Sequence, residues 1–143
     1  QAAERQLPGM AVRRARLDFP GAVARAVREA APALYLLAET ELWPNLLDAL
    51  AGAGVPRVLV NARISDRTIG RYRRLRGALA PRLAGFALVA AQSETDATRW
   101  RELGAREEAV VVTGNMKHDL GAAEARPLAL PWGDAPVVTL GSV

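Results

Sequence analysis

The chain has 143 residues, 50% of them hydrophobic, a formal net charge of +4 and no cysteine; this excludes a disulfide framework and a thiolate metal site and leaves room for one domain with a core of its own. No apolar run reaches the roughly 18 residues that span a bilayer, and no basic segment followed by an apolar stretch marks a secretory leader. The positive charge suits an acidic partner such as phosphate, nucleic acid or an anionic lipid surface, but 18 basic residues are arginine and only Lys117 is lysine, a skew that points to genome composition more than to function.

In chain order, a weak strand is expected at 11–16, then a helix at 20–30, with Asp18 ahead of it and Pro20 in its first turn as start signals. "ALYLLA" (33–38) reads as a buried strand, followed by a helix at 43–53 that has Pro44 in its first turn and stops at "GAG". "PRVLVNA" (56–62) is the second strand and 66–83 one long helix; "GFALVAA" (85–91) is the third strand. Ser93 and Asp96 form a capping box for a helix at 94–103, which Gly104 closes, and "AVVVTG" (109–114) is the fourth strand. After Gly114 the periodicity is lost over a stretch with three prolines, so 115–135 is expected to be a linker and 136–143, "VVTLGSV" with the residue before it, the first strand of a second unit. A start at Gln1 and a stop inside a strand lead to the expectation of a piece of a longer protein.

Near-continuous apolar strands alternating with helices specify an α/β fold with a Rossmann-like parallel sheet covered on both faces. In such sheets ligands bind beyond the carboxyl ends of the strands. Four segments, 39–45, 61–66, 92–96 and 113–119, therefore share one rim, and they hold most of the distinctive polar residues.

In "ETELWPN", Glu39 and Glu41 frame Thr40 at a strand end; one acid is explained by the positive end of the following helix, whereas two leave room for a site. "NARISDRTIGRYRRLR" carries Arg63, Arg67, Arg71, Arg73, Arg74 and Arg76. Positions 67, 71 and 74 share a helical face and read as a solvated stripe; the scarcity of aromatic residues for base stacking speaks against nucleic acid. Asn61, Arg63 and Asn115 lie on the rim and are candidates for substrate contact. Ser93 and Asp96 are explained by capping. "TGNMKHD" places the single Lys, Lys117, beside the single His, His118. One His without Cys or a second His makes no metal site, while a compact ammonium at Lys117 differs in kind from the arginines elsewhere. No Walker, GxGxxG or GxSxG pattern occurs.

"ETELWPNLL", "VLVNARISDRTIGRY", "AAQSETDATRWRELGA" and "VTGNMKHD", in this order and spacing, closely resemble the 3-deoxy-D-manno-octulosonic acid (Kdo) transferases of lipopolysaccharide assembly, over roughly residues 11–119. The resemblance implies a GT-B fold of two Rossmann-like domains, with 1–114 as the later part of the N-terminal, acceptor domain. It implies inverting transfer of Kdo from CMP-Kdo to a lipid A precursor without a metal or other cofactor, CMP-Kdo being bound mainly by the C-terminal domain. The place implied is the cytoplasmic face of the inner membrane of a Gram-negative bacterium. By the same resemblance Glu39 and Lys117 are transition-state stabilisers, and the general base is a Glu upstream of this chain, so the piece alone is expected to be inactive. His118 departs from the aromatic residue that many members carry. The alternatives are another GT-B glycosyltransferase with a different sugar nucleotide, and a basic anionic-lipid or nucleic-acid binding module.

Overall fold

The computed structural model describes residues 18–116 and the strand at 137–140. The expected strand at 11–16 and the body of the linker lie outside them. The elements are α1 (Pro20–Ala30), β1 (Leu34–Ala38), α2 (Pro44–Gly52), β2 (Arg57–Ala62), α3 (Asp66–Arg74), α4 (Arg76–Ala84), β3 (Leu88–Ala91), α5 (Glu94–Leu103), a short 3-10 turn (Glu107–Ala109), β4 (Val110–Val112) and β5 (Val137–Leu140).

All strand pairings are parallel, in the order β4-β3-β2-β1-β5. Leu37 lies opposite Leu59, and Leu59 opposite Val89. The helices that follow β1, β2 and β3 pack on the sheet, so residues of these strands are buried or half-buried, as unbroken apolar runs require, while Val111 and Val112 of β4 are exposed. Tyr35, Leu37, Leu59, Ala62, Val89 and Ala91 from the sheet meet Leu47, Leu50, Leu83, Phe86, Trp100 and Leu103 in one core, none of these side chains more than 2% exposed. Burying one such leucine contributes about 1.5–3 kcal/mol, and Leu59→Ala, at the centre of the sheet, is the change best placed to open a cavity.

Val137–Leu140 pairs with β1, Leu34 opposite Val137 and Leu37 opposite Leu140. β1 is a strongly apolar strand whose outer row of N–H and C=O groups needs a partner, and "VVTL" supplies one.

Two differences from the sequence expectation are local. The helix expected over 66–83 is broken at Leu75 (φ −96°, ψ 7°), which ends α3 and starts α4 and is itself 51% exposed. Pro81, inside α4, cannot donate to the carbonyl of the turn before it. Asp18 does not cap α1, whose N-cap is Phe19. Its carboxylate reaches α2 instead, accepting from the N–H of Asn45 at 3.0 Å and of Leu46 at 2.9 Å. α2 begins at Trp43–Pro44, which has no side-chain acceptor, so its first-turn donors would otherwise be orphaned. The capping box of α5 is present: the Asp96 N–H donates to Ser93 Oγ at 3.1 Å, and Ser93 Oγ donates to Asp96 Oδ2 at 2.6 Å. Gly104 closes α5 with φ 117°, and a Cβ there would come within 2.5 Å of Ala80 Cβ in α4, so only glycine fits.

Among the described residues no helix is long and apolar enough to cross a membrane.

Candidate active site

The carboxyl ends of β1 and β2 are shaped by two residues with left-handed backbone. Glu39, directly after β1, has φ 61°, and Asn61, one residue from the end of β2, has φ 53°. Left-handed backbone is routine for Gly and tolerated by Asn; for Glu it is uncommon and strained. The Glu39 N–H donates to the Val60 carbonyl at 3.0 Å, so the turn after β1 is tied to the strand beside it. At Asn61 the ladder to β3 slips: Leu59 pairs with Val89, but Ala62 with Ala91, which leaves one extra residue in β2. A bulge of this kind re-aims side chains at a strand end.

Beyond these ends lies an open cleft of about 410 Å³. Glu39 and Glu41 enter it from β1, Asn61 and Arg63 from β2, Gln92 from β3 and Asn115 from the segment after β4. The four rim segments thus meet in one place, and all of the candidate site residues that fall within the described part line it. Thr68 and Tyr72 of α3 form a side wall. Lys117, His118 and Asp119 lie outside the described residues. The described lining combines two carboxylates, one exposed guanidinium and neutral amides and hydroxyls. Such a set can balance charge of either sign on a polar ligand and offers donors and acceptors to a polyhydroxylated one. Among the described residues no group of three His, Cys, Asp or Glu could hold a metal ion.

The cleft is held by bonds that its own sequence segments do not reveal. Thr40 Oγ1 donates to the Arg63 carbonyl, joining the β1 and β2 turns. Asp96, only 6% exposed, accepts the Ile64 N–H on Oδ1 at 2.8 Å. Arg99 of α5 donates to the Ile64 carbonyl and pairs with Asp66. Capping alone therefore understates "SETDATR": Asp96 and Arg99 clamp the loop that carries Arg63. The missed signal was an acid at the third position of a capping box whose side chain is buried, where a solvated cap needs no burial. Asn45 of "ETELWPN" is likewise a latch, its Nδ2 donating to the Asp18 carbonyl at 2.7 Å. Burial, together with the negative charges of Asp18 and Glu41, pushes the Tyr35 hydroxyl above its ordinary pKa.

The arginines divide. Arg73 binds Glu102 of α5 through two bonds of 2.7 and 2.9 Å, and Arg76 donates to the Glu102 carbonyl at 2.7 Å, so these two join helices. The Arg73 guanidinium holds the Glu102 carboxyl below the usual carboxylate range. Arg67, Arg71 and Arg74 are exposed on α3, as a solvated stripe would be. Arg57 is buried at the opposite end of the sheet, donating to the Leu47 and Gly85 carbonyls with its guanidinium over the Phe86 ring, and burial lowers its pKa.

The family described as 3-deoxy-D-manno-octulosonic-acid transferase (kdotransferase) matches residues 1–120. The chain is 41% identical over 129 residues to the 3-deoxy-D-manno-octulosonic acid transferase of Bordetella pertussis, covering 87% of this chain and 30% of that protein. It is 38% identical over 104 residues to the protein of the same name from Haemophilus influenzae, covering 73% and 24%. A bifunctional glycosyltransferase/methyltransferase of Fusobacterium nucleatum is 41% identical over 87 residues, 61% of this chain and 14% of that one. The chain spans less than a third of the length of each of these relatives. On the family match and on the two transferases that cover most of it, the chain belongs to the 3-deoxy-D-manno-octulosonic acid transferases, a family of glycosyltransferases.

Proposed function

We propose that the chain is part of an inverting GT-B glycosyltransferase that moves Kdo from CMP-Kdo to a lipid A precursor, at the cytoplasmic face of the inner membrane of a Gram-negative bacterium. In this reading 1–114 is the later part of the acceptor domain, and 115–135 connects it to a donor domain that binds most of CMP-Kdo. The observation that carries the reading is the convergence of Glu39, Asn61, Arg63 and Asn115 on one cleft at the carboxyl rim of a parallel sheet.

In the transfer, an acceptor hydroxyl oxygen bonds to the anomeric carbon of Kdo while the bond from that carbon to the CMP phosphate oxygen breaks. The hydroxyl proton passes to a general base, here a Glu upstream of this chain, and CMP leaves with the bonding electrons. Positive charge grows on the sugar ring, and the Glu39 carboxylate is suited to balance it; negative charge grows on the departing phosphate, and the Lys117 ammonium is suited to balance that. Arg63, exposed at the cleft, suits an anionic group of either substrate.

The test is transfer by the full-length protein from CMP-Kdo to a lipid A precursor, with other sugar nucleotides as competitors. Kdo-bearing product that the competitors do not suppress supports the reading. Transfer of a different sugar, or salt-sensitive nucleic-acid binding lost on charge reversal of Arg67, Arg71 and Arg74, would replace it.

A further inference from the structure

We infer that Asn61 is a positioning residue: its side chain seats the 113–116 segment, and with it Asn115, against the ends of β2 and β3, rather than serving as a substrate ligand. The structural part stands on the geometry; the catalytic consequence rests on the function proposed above.

Asn61 is 6% exposed although it borders the cleft, so little of it is left for a ligand. Its Oδ1 accepts the Met116 N–H at 3.3 Å, across 55 residues of chain. Its own carbonyl accepts from Gln92 Nε2 at 3.2 Å. One residue therefore bonds to the segment after β4 with its side chain and to the segment after β3 with its backbone. The surrounding bonds run the same way: the Gln92 N–H donates to the Ala62 carbonyl at 3.1 Å and the Thr113 N–H to the Ala91 carbonyl at 2.9 Å. Those two continue the sheet ladder and would form with any side chains. The Asn61–Met116 bond depends on side-chain identity.

The backbone at 61 explains why asparagine does this. The extra residue in β2 and the left-handed φ of 53° turn the side chain out of the regular strand alternation. A left-handed position disfavours most side chains, whereas Asn, Asp and Gly tolerate it. Gly brings no acceptor, so only Asn and Asp combine the backbone with an oxygen at this reach. Met116 is 52% exposed, so apolar packing of its side chain does little to hold it, and the polar bond ties it to β2.

The experiment uses the full-length protein and two variants that both tolerate the backbone. Asn61→Gly keeps the left-handed turn and removes the acceptor; Asn61→Asp keeps the acceptor. Exchange of the Met116 amide hydrogen is expected to speed up by about tenfold or more in Asn61→Gly and to stay within about threefold of wild type in Asn61→Asp. In Asn61→Gly, kcat for Kdo transfer should fall by about tenfold or more, with KM for both substrates within about twofold. Unchanged Met116 exchange in Asn61→Gly would overturn the inference, as would a rise in KM at constant kcat, the mark of a substrate contact. If the wild-type protein transfers no Kdo, the functional reading fails, and the exchange comparison still decides whether Asn61 holds the segment.

Discussion

Glu39 and Asn61 hold left-handed backbone at the ends of neighbouring parallel strands, and the Glu39 N–H donates to the carbonyl of Val60, the residue before Asn61, at 3.0 Å. Asparagine is at home in that conformation and glutamate is not. A residue strained at the mouth of a cleft, where asparagine or glycine would be easier, suggests that its carboxylate is kept for chemistry.

That strain is measurable. Glu39→Asn should raise the free energy of unfolding by about 1 kcal/mol by relieving the backbone, while abolishing transfer in the full-length protein. Urea unfolding of both forms checks the first part. A fall in stability would mean that the fold needs the side chain of Glu39 more than it suffers from the backbone.

Asp18 caps a helix that begins 26 residues after it in the sequence, at Pro44. Asp18→Ala should therefore destabilise the protein by about 1 kcal/mol and speed amide exchange at Asn45 and Leu46, leaving the first turn of α1 unchanged. Faster exchange in α1 instead would return Asp18 to the role its sequence position suggests.

Asp96 serves both its own helix and the Ile64 N–H. Asp96→Ala leaves a buried donor without a partner, at a cost of about 1–3 kcal/mol. Ser93→Ala removes the cap and one bond to the Asp96 carboxylate but leaves the Ile64 N–H its acceptor, a loss of about 1 kcal/mol. Chemical denaturation of the two variants should rank them in that order; equal losses would reduce Asp96 to a cap.

The sheet and its rim were legible because strands covered on both faces must be apolar throughout, and because ligand sites in such sheets follow from strand direction. "ALYLLA", "PRVLVNA" and "GFALVAA" each contain the strand found, and the four segments expected to share a rim do meet. What stayed hidden has no local signature. The Asp18–Asn45 latch and the Asp96–Ile64 clamp join residues 27 and 32 positions apart. The break at Leu75 has no Gly or Pro at the break itself, and the left-handed turn at Glu39 lacks a turn-forming residue.

Tyr35 gives a pH signature. Its hydroxyl pKa is raised in the folded state above the ordinary 10.0, so the neutral form is favoured there. Its contribution is complete below about pH 10 and is lost as pH rises, because the unfolded chain releases the proton first. Tyr35→Phe should flatten the fall of stability above that pH, in unfolding midpoints measured from pH 8 to 11 (a window set by roughly the ordinary tyrosine pKa). An unchanged slope would show that other groups cause the alkaline loss.

The most direct test of the central claim is the rate of Kdo transfer by full-length Glu39→Gln, which keeps the size of the side chain and removes its charge. The expected result is a fall in kcat by about two orders of magnitude or more, with the unfolding midpoint within error of wild type. Transfer at a near wild-type rate would remove Glu39 from the reaction and leave the cleft without its proposed role.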